Sequence, residues 1–462
     1  MKFLPLVLLA SCLLSLSAQA AEYYVDPVAG SPDGDGSSEA PWQSLQQVVD
    51  RRLIESQRWE SLPPSPDTAL VARNPEAPIQ SGDTIWLKSG DHGALSIRGY
   101  YNQSPITIAA AEGAQPVFTS IAITSGSNWH LKGLTVRPKL GAENKPRHLI
   151  GLRSHGHHGL IRDIVVEDCD LSSTDDVSGW SREDWNTLPS SGIQVDGTKV
   201  IVRNNRVRNV NFGISVAASH ALVEHNLVEN FAGDGLRGLG DHSVFQYNTV
   251  KNCYDVNDNH DDGFQSWSTG PEGPGSGKVV GLVLRGNTII NFEDPSQPFR
   301  GSLQGIGCFD GMFEDWVIEN NVVIVDTWHG ITLLGATNCS IVNNTVIDQA
   351  AGRPGPTWIQ IGDHKKGTPS QGNLVRNNLV ASIRVADRAT NQIDHNLVTK
   401  DPAAEVVDLE KFDLRPVASS EAVDAGSADH APKLDRDRNQ RPQGGGVDIG
   451  AYELPASGGD EE

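Results

Sequence analysis

Three stretches decide the fold: Ile201-Val202-Arg203-Asn204-Asn205-Arg206-Val207, Leu222-Val223-Glu224-His225-Asn226-Leu227-Val228 and Val244-Phe245-Gln246-Tyr247-Asn248-Thr249-Val250. Each reads as two β-formers, two polar residues, an asparagine, one further residue and an aliphatic. Further copies centre on Asn287, Asn321, Asn344, Asn378 and Asn396, so that successive spacings from Asn205 are 21, 22, 39, 34, 23, 34 and 18. Short strands repeated at about twenty residues, with insertions between copies, indicate a solenoid. Helical periodicity is absent where the pattern is strongest, and there is no spaced leucine framework. One coil cannot bury its apolar face alone. Stacking pairs each strand with the coils above and below, and aligned asparagines can occupy left-handed turns and bond from coil to coil.

A second register locks to the first. Gly192, Gly213 and Gly235 each precede the following asparagine by 13 residues. The strands they open read Ser191-Gly192-Ile193-Gln194-Val195, Phe212-Gly213-Ile214-Ser215-Val216, Asp234-Gly235-Leu236-Arg237-Gly238 and Asp262-Gly263-Phe264-Gln265-Ser266. They continue as Gln304-Gly305-Ile306-Gly307-Cys308, His329-Gly330-Ile331-Thr332-Leu333 and Thr357-Trp358-Ile359-Gln360-Ile361. A constant offset is what stacked coils require. The expected class is all-β, a right-handed parallel β-helix. Ser44 to Glu60 reads as a helix capping its open end, within an N-terminal cap of about 21–80.

The composition agrees. Of 462 residues, 38% are hydrophobic and 21% charged, which suits a folded chain, and 47 are glycine, which suits many tight turns. A formal net charge of −21 argues against nucleic acid and anionic lipid as partners. Met1 to Ala20 reads as a signal peptide cleaved after Ser17-Ala18-Gln19-Ala20, giving a secreted or periplasmic protein with no membrane span. Leu9-Ala10-Ser11-Cys12 matches a lipobox, but the residues after Cys12 stay apolar where a tether would be polar. A single domain is expected over 21–453, as a monomer, with a disordered tail over 454–462. Cys169, Cys253, Cys308 and Cys339 sit beside strand residues and read as buried free thiols.

On these repeats the chain resembles the secreted right-handed parallel β-helix proteins of the pectate-lyase-like superfamily, over roughly residues 22–453. Asp435 to Glu453 is similar to the terminal segment of many such proteins. The resemblance implies the fold. Activity it leaves open, since the superfamily holds lyases, hydrolases, epimerases and adhesins.

Registry places Asp234, Asp262, Gln304 and His329 in one column on the outer wall, beside Arg237, Gln265, Gly307 and Thr332. The densest polar segment is Asn257-Asp258-Asn259-His260-Asp261-Asp262-Gly263-Phe264-Gln265-Ser266-Trp267. Insertions flank it, and others enter the same stack: 172–190 with Trp180 and Trp185, 293–303 with Arg300, and 363–371 with His364, Lys365 and Lys366. Aspartate before glycine is an ordinary turn former. A column of acids with His260 and His329 is more than turns require. The tryptophans serve equally as sugar platforms or packing anchors. Lys365-Lys366 and His155-Gly156-His157-His158 read as surface turns.

The expected function is a polysaccharide lyase acting on a uronic-acid polymer by β-elimination. Asp234, Asp261 and Asp262 are the candidate ligands for Ca²⁺, which bridges to the sugar carboxylate. His260 or His329 is the base, and Arg237 or Arg300 forks onto a second carboxylate. Gln265, Gln304, Trp267, Trp180 and Trp185 complete the substrate groove. Polygalacturonase-like hydrolases share the order Asp, Asp-Asp, His-Gly, here Asp234, Asp261-Asp262 and His329-Gly330. That makes an inverting glycoside hydrolase the alternative. A mannuronan C5-epimerase is next, although Asp258-Asn259-His260-Asp261 only approximates the Asp-Pro-His-Asp signature. A non-catalytic glycan-binding β-helix comes last.

Overall fold

A computed structural model describes residues 20–141, 145–349 and 354–455. The expected signal peptide with Cys12, and the expected tail from 456 onward, lie outside these. Each central coil contributes three strands to three parallel ladders. In the first ladder, Ile193 pairs with Ile214, Ile214 with Leu236, Leu236 with Phe264, Phe264 with Ile306, and Ile306 with Ile331. The second aligns Val202, Val223, Phe245, Leu284 and Ile318. The third aligns Val207, Val228, Val250, Ile289 and Val323. All of these side chains point inward and are buried in one continuous core.

The two sequence registers have separate physical causes. Glycine opens the first-ladder strands because the third ladder passes close behind it. A Cβ on Gly235 would lie 2.3 Å from Val250 Cγ1, and one on Gly263 would lie 2.4 Å from Ile289 Cγ2. The asparagines stack at the turn between the second and third ladders. Asn205 Nδ2 donates to Asn226 Oδ1 over 2.9 Å, and Asn226 to Asn248, Asn248 to Asn287 and Asn287 to Asn321 follow suit. Each also donates to a backbone carbonyl, as Asn248 does to Val223. The expected left-handed turn falls one residue earlier, at Asn204, His225, Tyr247 and Asn320, with φ of 54–55°. The ladder asparagine itself is thereby free to point inward.

The N-terminus departs from expectation. The helix is only Leu45–Asp50, burying Leu45, Val48 and Val49. Ser56–Trp59 instead pairs antiparallel with Leu70–Arg73. Glu22–Val25 already joins the main sheet, beside Thr84–Leu87. The four cysteines are buried and unpaired.

The three outer faces differ, and the difference locates the site. Past residue 288 the third face is apolar, and Ile290, Val322, Ile324, Ile347 and Leu379 are covered by the returning chain through Val406, Leu414, Ala422, Ile449 and Ala451. The second face carries pairs that neutralise each other across coils: Arg203–Glu167, Arg285–Glu319 and Arg376–Asp394. The first face is left with uncovered polar groups.

Candidate active site

The first ladder presents two outward rows. Registry aligns Asp262 with Gln304, and it aligns Arg237, Gln265, Gly307 and Thr332 in sequence. Long turns converge on one flank: 173–190, 254–261 and 291–303 each join a third-ladder strand to a first-ladder strand. On the other flank a small parallel sheet of Lys278–Val280, Met312–Glu314 and Ala336–Thr337 stands beside the coils. Lys365 and Lys366 bridge that flank to Asp310 and Glu272.

The acids do come together, but not on the surface. Asp234, Asp261 and Asp262 are 1%, 3% and 0% exposed. Asp234 Oδ2 accepts from Arg237 Nε at 2.5 Å, and Asp234 Oδ1 accepts from the Asp262 backbone N–H at 3.1 Å. Gln265 Nε2 donates to Asp262 Oδ2 at 2.9 Å. The other Asp262 oxygen folds over the next coil, where a Cβ on Gly307 would come within 1.9 Å of it. Only glycine leaves that space. Asp261 turns to the Cys253 thiol, which donates at 3.5 Å. Asp262 thus keeps its place in the outward row, aligned with Gln304, but the carboxyls are covered there, Asp234 by Arg237 and Asp262 by Gln265.

Burial sets their charge. Desolvation and the Asp234 carboxylate push Asp261 up to about 8. The same causes drive Asp262 well above the carboxylate range, and burial raises Asp234 despite Arg237. Asp261 is thus protonated at pH 7, and Asp262 is driven in the same direction, toward its neutral form. The expected calcium set does not assemble. Asp234 is occupied by a guanidinium and an amide, Asp261 faces a thiol, and among the described residues no three His, Cys, Asp or Glu side chains group to hold a metal. These residues do not fit the ion, and no step is routed through it.

Two coils beyond Asp262, His329 is half-buried. Its Nδ1 lies 3.0 Å from Thr332 Oγ1, which also accepts from Trp358 Nε1 at 3.1 Å. The imidazole stands edge-on to Phe309 and Trp358, at 5.0 and 5.2 Å between ring centres. Arg384 lies 3.8 Å from the centre of the same Trp358 ring. Burial first, then His260 and Arg384, lower the His329 pKa, so the ring is neutral at pH 7. Trp328, 44% exposed, stacks on Trp358 at 6.0 Å with 11° between planes. Sequence reading missed Trp328, Trp358 and Arg384. The indication available was the Gly-strand register itself, which runs on to Gln360 and Arg384.

The remaining expected groove residues divide. Trp267 and Gln304 are part-exposed, and Trp267 lies 5.3 Å from the Arg237 guanidinium. His260 is exposed on the 254–261 turn. Trp185, 1% exposed, is a packing anchor, sandwiched between Trp180 and Tyr254, so it offers no face to a sugar. Arg300 packs on Phe292 and bonds the Pro295 carbonyl within its own loop.

The family model described as right handed beta helix region matches residues 191–355. No curated protein matches the chain. Among solved structures, XylC in complex with xylose is similar at 11% identity and a TM-score of 0.56, covering 94% of this chain and 98% of that one. Pectate lyase Pel9A is similar at 15% identity and a TM-score of 0.47, covering 94% and 97%. Residues 191–355 are thus right handed β-helix, and the likeness to XylC extends that fold along nearly the whole chain.

Proposed function

We propose that the chain is a lyase that cleaves a uronic-acid polysaccharide by β-elimination, with His329 as base and Arg384 as the group that neutralises the sugar carboxylate. One observation carries this reading: a neutral imidazole and an exposed guanidinium pack on a single indole, at 5.2 and 3.8 Å, beside an exposed tryptophan. β-Elimination needs that pairing. The cation draws charge from the uronate carboxylate and acidifies the C5 proton. In the tautomer that donates Nδ1–H to Thr332, His329 Nε2 keeps its lone pair and takes that proton. The C5 electron pair forms the C4–C5 double bond as the C4–O bond breaks. The imidazolium returns its proton to the departing oxygen. Trp328 supplies a face on which a pyranose ring can stack.

Spacing argues against Arg237 as the neutraliser for His329. Three coil steps separate Arg237 from Thr332, or roughly 14 Å, too far for one sugar. Hydrolysis through Asp234 and Asp262 requires a carboxyl in reach of the glycosidic oxygen, and both are buried. The discriminating test is to digest alginate, pectate and neutral glycans. Ultraviolet absorbance of an unsaturated uronyl end supports elimination. Reducing ends without absorbance overturn it in favour of hydrolysis, and altered uronate composition at constant chain length overturns it in favour of epimerisation.

A further inference from the structure

A cavity of about 400 Å³ opens on the same face, toward the N-terminal end, lined by Lys145, Arg147, His148, Gln194, Ser215 and Arg237 among others. Among the described residues no carboxylate lines it, although the chain carries a net charge of −21. We infer that this cavity is a subsite for an anionic sugar residue of the bound polysaccharide, several units removed from the bond broken at His329. The inference rests on the reading of the groove as a polyuronate site.

Its cations are available to a ligand. Arg237 spends Nε on Asp234, and its terminal nitrogens have no hydrogen-bond partner among the described residues. The guanidinium is held over Phe212, 3.8 Å from the ring centre, and by its Nε bond to Asp234. Lys145 Nζ is anchored by neutral carbonyls, of Thr187 and Pro189 at 2.5 and 3.1 Å, so its charge is not cancelled. Arg147 is exposed and has no ion-pair partner among the described residues. The positive field is felt by His148, which burial, Arg147 and Arg153 lower to about 4. It is therefore neutral at pH 7 and offers hydrogen bonds in place of charge. Gln194 and Ser215 add neutral polar groups in the outward row.

Registry gives the distance. Gln194, Ser215, Arg237, Gln265, Gly307 and Thr332 are successive members of one row, so five coil steps, or roughly 24 Å, separate the pocket from the His329 strand. A linear polysaccharide lying along the row advances about one sugar per coil. A carboxylate and a sulfate ester present the same chemistry to this pocket.

The test is isothermal titration of full-length protein carrying His329→Ala, to prevent turnover, with and without Arg147→Gln. The probes are a hexauronate, a diuronate, a sulfated hexasaccharide and a neutral hexasaccharide. A hexameric anion should bind at least about tenfold more tightly than the neutral chain, and Arg147→Gln should remove most of that advantage. Whichever anion depends on Arg147 names the source. In the active protein, Arg147→Gln should raise KM for polymer while leaving kcat, and cleavage of the shortest oligomers, unchanged. Equal binding of neutral and anionic hexamers, or binding indifferent to Arg147, overturns the subsite. Arg147-dependent binding of hexauronate without cleavage leaves the subsite standing and removes the lyase reading instead.

Discussion

The backbone N–H of Asp262 donates to Asp234 Oδ1 over 3.1 Å, joining residues 28 apart in sequence on adjacent coils. This bond ties the two acids into the fold itself. The Asp234 carboxylate is held by Arg237 on one oxygen and by the next coil on the other. Burial drives Asp262 toward its neutral form, and its Oδ2 accepts from Gln265 Nε2.

Asp262→Asn is therefore expected to retain activity within a few-fold. The amide matches a protonated carboxyl in size and leaves the Asp234 bond, which uses the backbone, untouched. Sequence alone predicts the opposite, since it places Asp262 at the chemical centre. A general acid lost from a hydrolase costs about 10²–10⁴ in rate. A loss of that size in steady-state kinetics would sink this structural reading of Asp262 and restore the acid pair.

The buried acids should also leave a mark on stability. Asp261 is raised to about 8, whereas unfolded aspartate titrates near 3.9. From about pH 4 to pH 8 the unfolded chain has released this proton and the folded chain has not. The unfolded state then binds fewer protons, so stability falls as pH rises, by up to about 1.4 kcal/mol per unit for one group. It is greatest below pH 4 from this group alone and levels off above 8. Asp261→Asn should flatten the slope in denaturant titrations between pH 5 and 8. An unchanged slope would show that the carboxyl ionises inside the fold.

How much of this was legible follows from what one-dimensional stacking exposes. Gly235, Gly263 and Asn248 are dictated by contacts between neighbouring coils, and such contacts repeat in sequence. The rows Arg237-Gln265-Gly307-Thr332 and Asp262-Gln304 could thus be read from spacing. Burial of Asp234 and Asp262 could not, because it comes from Arg237 and Gln265 folding back onto the two acids and from the room that Gly307 leaves on the next coil, which spacing does not encode. Nor could the meeting of Arg384 with His329. It depends on Trp358 presenting one indole to both, across turns whose lengths carry no register. The helix over Ser44 to Glu60 failed for a different reason: Ser56–Trp59 found an antiparallel partner in Leu70–Arg73, outside the repeat.

The asparagine ladder makes a prediction about stability alone. Asn248 is fully buried, donates to Asn287 Oδ1 and the Val223 carbonyl, and accepts from Asn226. Alanine there removes the acceptor of the Asn226 backbone N–H and of one Asn226 amide hydrogen, and the side-chain donor to the Val223 carbonyl. Each buried orphan costs about 1–3 kcal/mol. Asn248→Ala should lower the unfolding midpoint clearly, while Asn396→Ala, at the end of the ladder, should cost less. Equal effects at both sites would mean the bonds do not couple along the stack.

Chelation is a further check on the buried acids. Because Asp234 is paired with Arg237, Asp261 is protonated and burial drives Asp262 toward its neutral form, EDTA dialysis should leave activity and thermal midpoint unchanged. Loss of activity restored by calcium would show that the cluster rearranges around an ion.

His329 and Arg384 give the sharpest expectation, because one residue should report on the other. A neutral imidazole is the working base, so activity should fall in acid with an apparent pKa below the usual histidine value of about 6.5. Arg384 is one of the charges that lowers it. Arg384→Gln should therefore move the acid limb of kcat/KM toward higher pH, as well as lowering kcat through loss of carboxylate neutralisation. His329→Ala should cost about 10²–10⁴ and abolish the limb altogether. Thr332→Val, which removes the hydroxyl beside Nδ1 but touches no substrate, should lower kcat while the limb persists. Suppose instead that Arg384→Gln lowers kcat with the acid limb unmoved. The guanidinium would then bind substrate without sharing a field with the base, and the paired mechanism would fail even if the enzyme is a lyase.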